Sequence, residues 1–327
     1  MAIRTRRKII LVAVLALLAA LLGAGVAAAT VPCSFPTPPA PGLISDGVGT
    51  LPATPSGAVT ASDGVQLAYY AELPAHPTST LVFFHGSGAN SRAGYLPLAR
   101  QLVRYGVATY LVDIRGHGAS GGPRGDAPSP QQVWQDTADV IGFVHDRWPG
   151  LPEFAGGHSA GAGLILNSLN RFPDPIAGYV FLAPDYGLHS DTEKVDRGSN
   201  FATICTRIFI ANAVTGGRID GHTKALGFAY TTAELRESGM VNRYTVNMAL
   251  AQNADQAADD LQSIKVPVGV WVGADDEVFD ATKLAEFSRQ APHADVTILP
   301  GETHLSLLDT SAAQVGPWMQ RQSASGR

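Results

Sequence analysis

Along most of this chain, short unbroken apolar runs alternate with longer stretches whose apolar positions recur every three or four residues. Thr80 to Phe84, Val107 to Val112, Phe154 to Gly156, Ile176 to Ala183, Val268 to Val272 and Val296 to Leu299 are of the first kind. Such runs suit strands covered on both faces by helices. Tyr95 to Arg104, Ala160 to Arg171 and Thr282 to Gln290 are of the second kind. The clearest helical stripe is Val133, Thr137, Val140, Ile141, Val144 and Trp148. Ahead of it, Ser129-Pro130-Gln131-Gln132 supplies an N-cap, a proline at the first helical position and a capping-box glutamine. Ala58 to Ala61 and Val65 to Ala71, around Asp63-Gly64, read as an opening hairpin. This order predicts an α/β fold with a mostly parallel sheet and helices on both faces.

Two regions break the pattern. Residues 185–260 hold few strand-like runs and modest helical ones, including Phe201 to Val214 and Val241 to Leu261. They predict a mainly helical cap inserted between core segments 58–184 and 261–327. Residues 30–57 carry seven prolines and read as an extended linker.

The chain opens with Arg4, Arg6, Arg7 and Lys8, then runs uncharged from Ile9 to Ala29 and ends in an alanine triplet. Residues 1–29 are therefore expected to be a cleaved export signal, Thr30 becoming the first residue, or an uncleaved anchor that attaches the protein to a membrane through residues 9–29. Thr5-Arg6-Arg7-Lys8 also fits a twin-arginine signal. Either way the body is exported: secreted, periplasmic or on the cell surface. The residues before Cys33 lack the small side chain expected ahead of a lipoprotein cysteine.

The formal charge of −5 hides an acidic body: without the four N-terminal cations, 19 basic residues face 28 acidic ones. No basic cluster offers phosphate contacts, which argues against a nucleic-acid partner. Cys33 and Cys205 are the only cysteines; export permits a disulfide between them, and two independent cysteines fit the sequence equally. Scattered histidines and two distant cysteines give no metal-ligand spacing. No metal or other cofactor is expected, and the sequence leaves the oligomeric state open.

The candidate chemistry lies where strands end. Gly157-His158-Ser159-Ala160-Gly161 joins an apolar strand to an Ala/Leu-rich helix. A serine in such a sharp turn needs almost side-chain-free neighbours two residues either side, and the following helix N-terminus offers N–H groups to an oxyanion. A bare glycine-rich turn would have the same spelling; the strand-to-helix setting favours Ser159 as nucleophile. His85-Gly86-Ser87-Gly88 follows an earlier strand, so Ser87 and Ala160 are the expected oxyanion N–H donors, with His85 structural. His304, after the last strand, is the candidate base. The acid candidates are Asp276 and its rival Asp275, while Asp280 is placed to cap a helix. His158 adjoins the serine but should point elsewhere, and His293 merely precedes a strand.

The chain resembles the α/β-hydrolase superfamily, in its branch of lysophospholipases, monoacylglycerol lipases and serine aminopeptidases. Phe84 to Gly88, Asp113-Ile114-Arg115-Gly116-His117-Gly118-Ala119-Ser120, the Ser159 turn, and Gly273 to Val278 with His304 carry the resemblance, which spans about residues 58–315 except the cap. It implies the α/β-hydrolase fold, puts the acid on Asp276, and gives the 113–120 loop a bracing role. It further implies a Ser159–His304–Asp276 triad cleaving carboxylic esters (lysophospholipid, monoacylglycerol or smaller) through an acyl-enzyme. A serine here argues against the dehalogenase and epoxide-hydrolase branches, which use aspartate. An amidase or peptidase of small substrates, and a non-catalytic binding module of the same fold, are the alternatives.

Overall fold

The computed structural model describes residues 33–35, 54–172, 176–194, 201–237 and 239–325. The expected export signal lies outside these residues, as does most of the linker. The opening hairpin is β1 (Gly57–Thr60) and β2 (Gln66–Glu72), paired antiparallel. There follow β3 (Ser79–Phe84), α1 (Leu96–Leu102), β4 (Val107–Val112), α2 (Pro130–Arg147), β5 (Glu153–His158), α3 (Ala160–Ser168) and β6 (Gly178–Leu182). After the insertion come β10 (Val268–Gly273), α8 (Ala281–Ser288), β11 (Ala294–Leu299), α9 (Leu307–Thr310) and α10 (Ala312–Ser325). Eight strands form one sheet in the order β1-β2-β4-β3-β5-β6-β10-β11, parallel from β4 onward.

Burial explains the sequence pattern. Every residue of β3, β4, β5, β6 and β10 is buried, so these strands carry unbroken apolar runs. The edge strand β11 keeps only Leu299 fully buried, and polar Asp295 and Thr297 appear there. The Ser129 side chain accepts the Gln132 N–H at 3.2 Å, and α2 turns Val133, Thr137, Val140, Ile141 and Val144 inward. From β3 the chain moves outward to β4 and then returns to the other side of β3 as β5. Adjacent strand ends therefore diverge at β3 and β5, and such a switch point leaves a crevice for a ligand.

The insertion contains α4 (Thr206–Val214), α5 (Thr232–Glu237), α6 (Val246–Gln252) and α7 (Ala257–Ser263). Helices predominate, but the insertion also holds an unexpected three-stranded antiparallel sheet: β7 (Ala202–Ile204), β8 (Lys224–Phe228) and β9 (Arg243–Thr245). The helix expected over Phe201 to Val214 thus gives its first turn to β7, and that over Val241 to Leu261 divides into β9, α6 and α7. A carbonyl of α6, that of Ala251, accepts from Trp134 on α2 at 2.9 Å and from Asn167 on α3 at 3.1 Å. Cys33 and Cys205 are disulfide-bonded with Cα atoms 6.0 Å apart, which decides between the two readings of the cysteines. Beside them Phe35 lies against Gly227 of β8 and stacks under the Arg243 guanidinium at 4.6 Å.

Candidate active site

Ser159 sits between β5 and α3 with φ 53° and ψ −126°, a conformation that costs a side-chain-bearing residue on the order of 1–3 kcal/mol. Its surroundings enforce it. The Ser159 N–H donates to Leu182 at 3.0 Å, and its carbonyl accepts from Ala162 at 3.0 Å and Asp185 at 3.1 Å. A Cβ at Gly157 would collide with the Gly161 backbone, and one at Gly161 with the Phe84 carbonyl. The turn therefore closes only with glycine at both positions.

His304 and Asp276 come from loops after β11 and β10, neighbouring strands whose last residues, Gly273 and Leu299, are in register. His304 Nδ1 lies 2.9 Å from Asp276 Oδ2, while Asp276 Oδ1 accepts the N–H groups of Val278 and Phe279 at 2.8 Å each. Asp276 is completely buried and Asp275 is exposed, so the structure gives the histidine partnership to Asp276. Asp280 caps α8 through Thr282 and Lys283, as expected. Burial alone would raise the Asp276 pKa, but the charge and hydrogen bond of His304, with the two N–H groups, hold it below the ordinary carboxylate value. For His304 burial favours the neutral ring, and Asp276 outweighs it, so that the pKa stands above the usual 6.5. The His304 backbone N–H is held by Glu277 Oε2 at 3.0 Å, a contact the sequence did not suggest. With Nδ1 donating to a carboxylate, Nε2 of the neutral ring is left as the basic nitrogen.

Ser159 reaches this pair through its chain neighbour. The His158 ring is 4.6 Å from the His304 ring, and His158 Nε2 donates to the His304 carbonyl at 3.0 Å. Burial, followed by the nearby His304, pushes the His158 pKa down to about 3. The His158 ring is directed to His304, a relationship that adjacency in sequence did not disclose. No direct Ser159–His304 hydrogen bond occurs among the described residues; such contacts often tighten only when substrate binds.

The loop after β3 presses against the serine: a Cβ on Gly86 would lie 3.1 Å from Ser159 Cβ. Gly86 N–H donates to Tyr95 Oη at 2.8 Å and Gly88 N–H to Tyr244 Oη at 2.6 Å. The Ser87 N–H between them makes no hydrogen bond among the described residues, and the Ala160 N–H opens the first turn of α3. His85 is buried, its Nε2 accepting from Ile114 N at 3.1 Å, which fits the structural role expected for it.

The 113–120 loop braces the same edge. Asp113 accepts from Ser91 and Ala119 N–H at 2.7 Å each, and Ser120 Oγ takes the Ala68 N–H at 2.8 Å. Arg115, almost fully buried, bonds both oxygens of Asp136 at 2.6 and 2.7 Å and reaches Asp63 at 2.9 Å. No cluster of three metal-ligating side chains occurs among the described residues.

Residues 75–311 match the family described as serine aminopeptidase, S33. The chain belongs to this family. Its fold is that of the α/β hydrolases, and a monoglyceride lipase structure from Saccharomyces cerevisiae superposes with TM-score 0.60 at 18% identity, covering 84% of this chain and 97% of that one. A monoacylglycerol lipase of Mycolicibacterium smegmatis is 29% identical over 40% of this family member and 47% of the relative. Escherichia coli YnbC, an uncharacterized protein, is 25% identical over 80% of this chain and 45% of its own length. The chain thus spans less than half the length of these two curated relatives.

Proposed function

We propose that this S33-family protein is an exported hydrolase of carboxylic esters, acting through an acyl-enzyme on Ser159. The observation that carries the reading is the strained Ser159, whose chain neighbour His158 packs 4.6 Å from the ring of a buried His304 hydrogen-bonded to Asp276. His304 Nε2 takes the Ser159 proton as Oγ attacks the ester carbonyl, and Asp276 stabilises the imidazolium. The N–H groups of Ser87 and Ala160 receive the oxyanion. Collapse expels the alcohol, protonated by His304; a water then attacks, returning its proton through His304 and releasing the acid. The substrate is a monoacylglycerol, a lysophospholipid or a smaller ester, and the relatives named as monoacylglycerol lipases favour the first. Export is supported by the basic and apolar pattern of residues 1–29 and by the disulfide, which belongs to an oxidising compartment.

A fluorophosphonate probe tests the centre: the wild type is expected to be labelled and Ser159→Ala not. Hydrolysis of esters from acetyl to long-chain monoacylglycerol and lysophospholipid, beside matched amides, then ranks substrates. An unlabelled wild type, or labelling that survives Ser159→Ala, refutes the proposal.

A further inference from the structure

Two hydrogen-bond relays meet at the Gly86–Gly88 loop, one on each side of Ser87. In the first, Gly86 N–H donates to Tyr95 Oη, which lies 2.9 Å from His158 Nδ1, and His158 Nε2 faces the His304 carbonyl. A carbonyl only accepts, so the proton of a neutral His158 is on Nε2, and Nδ1 must accept from the tyrosine. In the second, Gly88 N–H donates to Tyr244 Oη, which lies 2.7 Å from His117 Nε2, and His117 Nδ1 faces the Arg115 carbonyl at 2.9 Å. The same reasoning puts the His117 proton on Nδ1 and makes Nε2 the acceptor. Both relays therefore read backbone N–H, tyrosine O–H, imidazole, carbonyl, with every polar atom used in one direction. Both histidines are kept neutral mainly by burial, and both tyrosines are buried and hold their protons. Tyr230, also from the insertion, donates to the Ser87 carbonyl.

We propose that Tyr95 and Tyr244 are positioning residues that clamp the peptides on either side of Ser87, so that its N–H alone is left to face the oxyanion at Ser159. Tyr95 belongs to the core and Tyr244 to β9 of the insertion, so the cap supplies half of the clamp. This rests on Ser87 as an oxyanion donor. A loosened clamp misaims a donor used in the transition state and leaves substrate binding largely alone.

The experiment compares Tyr95→Phe and Tyr244→Phe with Tyr186→Phe, which removes a buried hydroxyl that is bonded to Ser288 and belongs to neither relay. Hydrolysis of p-nitrophenyl butyrate is expected to lose roughly tenfold or more in kcat in both clamp variants, with KM within about twofold. Affinity for an alkylboronic acid, which forms a tetrahedral adduct on serine, falls in parallel. Tyr186→Phe keeps kcat even where its Tm falls as far. Should a clamp variant not fold, His117→Gln and His117→Leu carry the test: glutamine can still accept from Tyr244 and retains the rate that leucine loses. Wild type labelled by fluorophosphonate at Ser159, with kcat unchanged in the clamp variants or lost equally in Tyr186→Phe, overturns the clamp alone. Wild type that is not labelled overturns the ester-hydrolase proposal as well.

Discussion

At the scale of single residues, the pairing of His304 with Asp276 sets a pH dependence. His304 acts as a base only when neutral, and Asp276 holds its pKa above 6.5. Under the proposed mechanism, kcat/KM therefore rises with pH through an inflection above 6.5 and is low on the acid side. Asp276→Asn removes the charge that raises this pKa and leaves the wrong tautomer in place. The expected result is an inflection moved to lower pH and kcat reduced by about 10³–10⁴-fold, read from a pH–rate profile on one ester. An unchanged inflection would separate Asp276 from the chemistry. Ser159 and His304 were legible as candidates because each sits at a strand end with local constraints, whereas the local pattern left Asp275 beside Asp276 and only the resemblance chose between them. Tyr95 and Tyr244 were not legible. A buried tyrosine reads as an apolar position, and Tyr95 lies 63 residues from its partner His158, Tyr244 156 from Gly88 and 127 from His117.

At the scale of elements, the loop between β4 and α2 depends on one buried cation. Arg115 is held by Asp136 within α2 and by Asp63 in the β1–β2 turn, tying three elements together. Arg115→Ala leaves Asp136 buried without its partner, at a cost of about 3–5 kcal/mol. Urea unfolding at neutral pH checks this; a loss below about 1 kcal/mol, the range of exposed pairs, would contradict it. The core elements were legible because unbroken apolar runs and a 3.6-residue stripe register directly as buried strands and an amphipathic helix. The sheet in the insertion was not. Strands β7 and β9 have three residues each, too few for alternation to show, and their existence depends on pairing with β8.

At the scale of the whole molecule, the Cys33–Cys205 bond joins the segment before the hydrolase core to the start of α4, closing a separation of 172 residues. Its removal is expected to lower stability by about 2–4 kcal/mol. A thermal melt with and without reductant measures the loss, and Cys205→Ser should melt at the reduced value in both conditions; no reductant effect on the wild type would mean the bond does not constrain the fold. The same bond changes what proteolysis does to this protein. A single backbone cut anywhere from 36 to 53 would not shed the piece ahead of it, because that piece remains covalently attached through Cys205. The nicked protein would migrate as one species on a non-reducing gel and divide in two only after reduction. An N-terminal tag or surface linkage would thus survive such a nick, and a thiol reagent would be needed to release it.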